Sequence, residues 1–413
     1  MAIKTKSLLF TEQFYYPEGW GGAQIPRDIT TSLALHGWQV EVLCGNDLYA
    51  PVLGTEHADP RSVGVRICRV PQLIGGDIQE YKLLKQLCYY AVAFPRLLFS
   101  SASLFATQTN PPLIVPIVAL ASSIRRKPMV VIAQDLYPEV LFAHTKLAEK
   151  TIAARLLRWI FKIGYQRASK VISLGPHMSS RLHAKGVPAN RIIEISNWAT
   201  GDENIVRGVD NKLRDAWGLS GKFVLLYSGN LGIAHDVETP IKAVAETLRH
   251  IPNLILLFVG KGSRMNEARA LAAALKIENA VHFRPFVPFE LLAHSLGLAD
   301  VALVTLRQGF EGLVVPSKLL GQMARAVPTL YVGPNSDVEF FLRESGGGVC
   351  ISNGDVQGLS QSLVRLAASR SILDTMADAA QRYYEKHLAK NLGIDRYLAA
   401  FDDFLTYEQK LGR

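Results

Sequence analysis

FVLLYSGNLGIAHD, residues 223–236, is the stretch whose reading decides the fold. Its first five residues, 223–227, read as a short apolar strand. A turn carrying Gly229 and Gly232 follows, and a helix is predicted from about Val237 with Asp236 as its N-cap. A strand that feeds a glycine turn and then a helix leaves backbone N–H groups where an anion can sit. The same order occurs once before. Residues 7–10 form a strand, Gly19-Trp20-Gly21-Gly22 a glycine turn, and 25–36 a helix ending at Gly37. The chain therefore starts over near residue 223, and each start predicts a separate α/β domain. Two such turns at matched positions weigh against glycines that serve tight turning alone.

The bulk properties agree with two domains. A chain of 413 residues is too long for one core. Hydrophobic residues make up 49% and charged ones 20%, a globular balance. Cys44, Cys68, Cys88 and Cys350 have no metal-ligand spacing and read as reduced thiols of a cytosolic protein. The charge is uneven. Residues 1–198 hold 22 Lys and Arg against 13 Asp and Glu, whereas residues 199–413 hold 23 of each. The first half thus carries all the excess charge, and its partner should be anionic. No zinc finger, homeodomain or RNP-type pattern accompanies that charge, which argues against nucleic acid. An anionic membrane surface or a phosphate-bearing acceptor fits better. Residues 97–124 are uncharged, but the polar run from Thr107 to Pro112 would sit in mid-bilayer, so strand, turn and buried helix are predicted there.

From the first helix onward the pattern alternates strand and helix. Strands are predicted at 39–43, 65–70, 105–108, 129–133, 170–174 and 192–195, with a loop at 71–80. The helix at 81–99 has Leu83, Leu84, Leu87, Tyr90 and Ala91 on one side. It reads as an amphipathic helix packed on the sheet, with contact to lipid as the alternative. A polar connection from Asn197 to about Ser220 places the domain boundary: 1–198 and then 199–394, with the terminal helix, about 395–413, allowed to pack back on the first domain. The second domain alternates strands at 223–227, 254–259, 280–283, 301–305, 329–332 and 349–351 with helices. Such alternation means parallel sheets with right-handed crossovers.

Three places could carry chemistry. Gly260-Lys261-Gly262-Ser263 follows a strand and precedes a helix, yet Met265 stands where a dinucleotide fingerprint needs its third glycine. A phosphate turn with Lys261 and Arg264 as charges remains open, beside two solvated basic residues. Pro316 is placed at N1 of a helix over 316–325. Lys318 in its first turn opposes the helix dipole unless an anion binds there. Asp135, after the strand 129–133, sits where open α/β sheets place ligands. There it either accepts or orients an acceptor hydroxyl, or caps the turn that follows.

Taken together these motifs resemble the GT-B glycosyltransferases, in particular the retaining, nucleotide-sugar-dependent family 4. The matching residues are Gly21-Gly22, Asp135-Leu136-Tyr137-Pro138-Glu139, Asn197-Trp198, Ser228-Gly229-Asn230-Leu231-Gly232 and Pro316-Ser317-Lys318-Leu319. They are similar to a branch that builds bacterial exopolysaccharide and lipid-linked oligosaccharides. The resemblance implies two Rossmann-like domains with parallel sheets facing each other across a cleft. It implies a first domain, often at the membrane, for the acceptor and a second for the donor. Carried over, the donor-binding set is Gly21, Gly22, Gly229, Asn230, His235, Lys261, Arg264, Phe286, Glu311, Ser317, Lys318 and Leu319. Asn110 and Tyr137 fall to the acceptor and Asp135 to catalysis. Many relatives of that family carry a Glu-x7-Glu pair, for which this chain has Leu313 and Gly321, with Glu311 two residues early.

No Asp-x-Asp occurs, so no metal and no cofactor are expected, and lysines and helix starts would stabilise the leaving nucleoside diphosphate. The expected function is transfer of a sugar from a nucleotide-sugar donor, a UDP-sugar such as UDP-glucose, to a lipid-linked or saccharide acceptor in bacterial polysaccharide biosynthesis. The expected place is the cytoplasmic face of the membrane. A nucleotide-sugar epimerase of the same fold and a non-catalytic sugar binder at the membrane surface are the rival readings.

Overall fold

The computed structural model describes residues 6–18, 21–45, 59–71, 82–144, 151–201 and 211–410. Gly19 and Trp20 of the first glycine turn, most of the predicted loop at 71–80, and residues 202–210 of the connection lie outside them. The chain forms two compact units. One comprises Met1–Ser196, Gly312–Val314 and Asn391–Arg413, the other Asn197–Glu311 and Val315–Lys390.

Unit 1 runs β1 (Ser7–Glu12), α1 (Gly21–Leu35), β2 (Gln39–Cys44), β3 (Arg66–Arg69), α2 (Lys82–Leu98), β4 (Leu104–Gln108), α3 (Ile114–Arg125), β5 (Met129–Ile132), α4 (Glu139–His144), α5 (Ile152–Arg167), β6 (Lys170–Ser173), α6 (Pro176–Ala184) and β7 (Ile192–Glu194). Its strands pair in parallel in the order β3-β2-β1-β4-β5-β6-β7. The central strands are buried on both faces, which is why they read as unbroken apolar runs. The uncharged stretch 97–124 resolves into β4, a turn and α3, and no helix among the described residues is long and apolar enough to cross a membrane.

Unit 2 runs α7 (Lys212–Ala216), β8 (Phe223–Ser228), α8 (Glu238–Thr247), β9 (Leu254–Val259), α9 (Met265–Ala274), β10 (Val281–Arg284), α10 (Leu292–Gly297), β11 (Val301–Thr305), α11 (Lys318–Met323), β12 (Thr329–Val332), α12 (Asp337–Ser345), β13 (Gly348–Ile351), α13 (Val356–Ala368) and α14 (Arg370–Tyr383). The sheet order is β10-β9-β8-β11-β12-β13, again all parallel. Alternate residues of β8 and β9 feed opposite faces. Leu225, Tyr227, Leu256 and Phe258 join one core, and Val224, Leu226, Ile255 and Leu257 the other. The N-cap position of α8 is Val237, not Asp236, yet the Asp236 carboxylate one residue earlier accepts the N–H groups of Glu238 at 3.0 Å and Thr239 at 3.2 Å.

The last helix, α15 (Lys390–Lys410), belongs to unit 1 apart from its first residue. Phe401 is buried there edge-on to Trp38, with ring centroids 5.8 Å apart, and Lys6 pairs with Asp402 at 2.9 Å.

Several predicted boundaries move. Gly21 and Gly22 form the first turn of α1 rather than a turn before it. Pro316 lies two residues ahead of α11, because Ser317 takes the cap position, so it is not at N1. The largest change is on α2, where the side expected to pack divides: Tyr90 is buried, but the three leucines and Ala91 are not. Lys85 and Gln86 are buried, while Leu83, Leu84 and Leu87 face solvent.

Candidate functional site

In a sheet of this order the chain reverses direction between β8 and β11, and ligands of open α/β sheets collect at the carboxyl ends there. The loop after β8 carries Gly229, Asn230 and His235. His235 is buried, and its Nδ1 donates to the carbonyl of Thr305 at the end of β11, 2.7 Å away. That bond leaves Nε2 as the acceptor, and it lies 3.3 Å from the Lys318 ammonium. Burial, with the Lys318 charge beside it, lowers the His235 pKa to about 3, so the ring is neutral at physiological pH.

Lys318 opens α11 and reaches back over β8. Its Nζ stands 5.1 Å from the centroid of the Tyr227 ring, and a Cβ on Gly229 would fall 2.8 Å from its Cε. Gly229, at φ +124°, thus leaves the lysine stem the room it occupies. Among the described residues no carboxylate pairs with Lys318, and burial alone lowers its pKa to about 8. A neutral imidazole and an aromatic face flank this ammonium, and among the described residues it has no counter-charge, so a nearby anion would relieve its desolvation.

The second glycine loop is explained differently. A Cβ on Gly260 would overlap the carbonyl of Gly229, and one on Gly262 would overlap the backbone of Leu231. The N–H of Leu231 donates to Lys261 O at 2.8 Å, and that of Arg264 to Leu231 O at 3.1 Å. These glycines let the two loops pack backbone to backbone. Lys261 and Asn230 have exposed side chains on that paired edge. Phe286 is 41% exposed and lies against Gly260. Arg264 is not a spare charge: its guanidinium binds Glu267 and the carbonyl of His235.

The other predicted donor residues divide. Ser317 is exposed and its side chain caps nothing, whereas the Leu319 side chain is core. Glu311 accepts the N–H of Gly309 at 2.7 Å and braces its own loop. Gly22 lies in unit 1 with Gly21, at the start of α1.

In unit 1, Asp135 follows β5. Its N–H donates to Thr109 Oγ1 at 3.0 Å, and it pairs in antiparallel fashion with Val314. The N–H of Leu136 donates to Leu313 O at 2.8 Å. The backbone is therefore held on both sides, while among the described residues the carboxylate caps no helix or turn. Burial raises its pKa to about 6. Tyr137 is buried and stacked on Phe161, with centroids 6.1 Å apart, and Asn110 is half-buried at the end of β4.

Sequence reasoning missed Thr305 and Tyr227 beside His235 and Lys318, and it did not single out the buried Glu12 of unit 1. Glu12 ends β1, is buried, and has its pKa pushed well up by burial although Oε1 accepts the N–H groups of Gln13 and Phe14. An acidic residue ending an apolar strand was the available signal. Thr305 acts through its carbonyl, which no residue type announces.

Two fully parallel sheets in this order within one chain define the GT-B class. The chain belongs to the family 4 type of GT-B glycosyltransferases: the Glycosyl transferase 4-like domain matches residues 21–198 and the Glycosyl transferases group 1 domain residues 209–386. Among curated proteins, it is 27% identical over 305 residues to the probable glycosyltransferase WbjE of Pseudomonas aeruginosa, covering 72% of this chain and 74% of that one. It is 29% identical over 174 residues to the putative colanic acid biosynthesis glycosyl transferase WcaI of Escherichia coli K12, covering 41% and 42%. Among solved structures, Anabaena Alr3699/HepE in complex with UDP superposes with a TM-score of 0.68 at 17% identity, over 97% of this chain and 100% of that one.

Proposed function

We propose that this glycosyltransferase moves a sugar from a UDP-sugar, such as UDP-glucose, to a lipid-linked or saccharide acceptor in bacterial polysaccharide synthesis, with retention at the anomeric carbon. The observation that carries the donor half is the uncompensated Lys318 ammonium beside Gly229 and neutral His235. The diphosphate takes that charge, with the Asn230 and Lys261 side chains and the start of α11 from Ser317 completing its contacts. Phe286 meets the base. As the nucleoside diphosphate leaves, these donors stabilise the charge that develops on it.

Asp135 acts in the acceptor half, with Asn110 and Tyr137 near the acceptor. Its raised pKa suits a group that accepts or orients the acceptor hydroxyl's proton near neutral pH. The UDP complexes of HepE, and the polysaccharide role in the name of WcaI, support the UDP and polysaccharide parts of this reading. The reaction takes place at an anionic membrane surface on the cytoplasmic side, where a lipid-linked acceptor is met.

Thermal shift against a panel of nucleotide sugars tests the donor: UDP-sugars should raise the melting temperature and GDP- or ADP-sugars should not. Calorimetry should then show Lys318→Ala binding UDP more weakly by about 1.5–3 kcal/mol, the worth of hydrogen bonds to a charged group. Unchanged UDP affinity in that variant would overturn the donor assignment. Product formed from donor alone would convert the reading to an epimerase.

A further inference from the structure

The face of unit 1 built from α2, α3 and α5 is inside out. On α2, Leu83 is 71% exposed, and Leu84 and Leu87 stand open beside it, while Lys85 and Gln86 are turned inward. On α3, Leu120 and Ile124 are exposed. On α5, Ile152 (85% exposed), Leu156, Trp159 (59%) and Ile163 repeat at i, i+4, i+7 and i+11, one stripe along the helix. Nine of the fifteen large hydrophobics exposed among the described residues lie on these three helices. They are neighbours: α3 packs on both α2 and α5, and at Gly164 an added Cβ would come within 3.3 Å of Val115 on α3. Packed helices lie about 8–10 Å apart, so three exposed stripes make a broad apolar plane rather than a scatter of single residues.

The charges on the same helices select the occupant. Together α2, α3 and α5 carry eight Lys and Arg and not one Asp or Glu. A second copy of the chain would bring the same positive face and be repelled. A plane of Leu, Ile and Trp set among arginines and lysines matches the headgroup and acyl boundary of an anionic bilayer.

We propose that this face lies flat on an anionic bilayer. The side chains of Leu84, Leu87, Leu156 and Trp159 enter the interface, and Arg155, Lys162, Arg125 and Arg126 meet headgroup phosphates. The proposal rests on the membrane-surface reading above and names the face; it does not depend on the donor site.

Sedimentation of the full chain with vesicles of equimolar phosphatidylcholine and phosphatidylglycerol, and with phosphatidylcholine alone, tests it. The parent should partition onto the anionic vesicles and less onto the neutral ones, with binding falling as salt rises. Its tryptophan emission should shift to the blue on anionic vesicles, and Trp159→Phe should remove most of that shift. Two double variants, Leu84→Gln with Leu87→Gln and Arg155→Glu with Lys162→Glu, should each lower partition about tenfold or more while binding UDP as the parent does. A parent that sediments with neither vesicle would overturn the membrane reading as a whole. A parent that binds while both variants, folded by UDP binding, bind equally well would overturn this face alone.

Discussion

Among the described residues no carboxylate stands beside Lys318, and burial lowers its pKa to about 8. The sign of the consequence follows. A lysine whose folded pKa is depressed destabilises the fold while it is protonated, and that cost fades as pH rises from about 8 towards the unfolded value. A bound diphosphate would restore the higher pKa, so UDP binding at pH 8–9 should take up a proton. Affinity should weaken about tenfold from pH 7 to pH 9, one decade for the unit above the pKa. Calorimetry in buffers of different ionisation enthalpy measures the proton, and Lys318→Met should abolish both effects. Asp135 offers the second residue test. Its carboxylate caps nothing among the described residues, so Asp135→Asn should melt no lower than the parent at pH 7.5, because an unfavourably buried charge is removed. Donor affinity should stay, turnover should fall by ~10²-fold or more, and the parent's kcat/KM should rise with pH through about 6. Turnover within a few-fold of the parent would make Asp135 structural. Lys318 was legible because a lysine in a first helical turn is an anomaly by itself. The part played by His235 was not, since its tautomer depends on a carbonyl seventy residues away, Thr305.

At the scale of elements, the two glycine loops after β8 and β9 act as one unit. Their backbones leave no space for a side chain at Gly260 or Gly262, and Gly262 has φ +155°. Gly262→Ala should therefore cost roughly 1–3 kcal/mol in a urea melt and weaken UDP binding, as the 229–232 loop is pushed aside. Unaltered stability would show that the loops relax freely. The glycines themselves were legible as turns after strands, but their reason is a contact between loops some thirty residues apart. The helix α2 shows the same limit more sharply. Its sequence displays leucines on one side, and periodicity cannot say whether that side meets the sheet or the solvent. In the fold, Tyr89, Tyr90, Ala93 and Leu97 take the inward positions, which leaves Leu83, Leu84 and Leu87 outside.

For the whole molecule, the end of the chain matters to its beginning. The α15 residues Tyr397 and Phe401 are buried in unit 1, Phe401 against Trp38. Phe401→Ala should destabilise by about 3–5 kcal/mol, the usual cost of emptying a buried aromatic site. Differential scanning calorimetry should show that loss in the transition of unit 1, leaving the UDP-stabilised transition in place. An unmoved unit 1 transition would mean that α15 is dispensable. What the sequence determined by itself was the repeated strand, glycine turn and helix, and with it two α/β units, because period and turn chemistry act over a few residues. It also determined the excess positive charge of the first half, a sum that needs no coordinates. Tertiary structure alone decided that residues 312–314 pair with Asp135 and Leu136, that His235 is neutral, that Arg264 is already engaged and that α2 turns its leucines outward. Each of these is set by burial or by a partner far along the chain, and neither burial nor distant partners are local properties of a sequence.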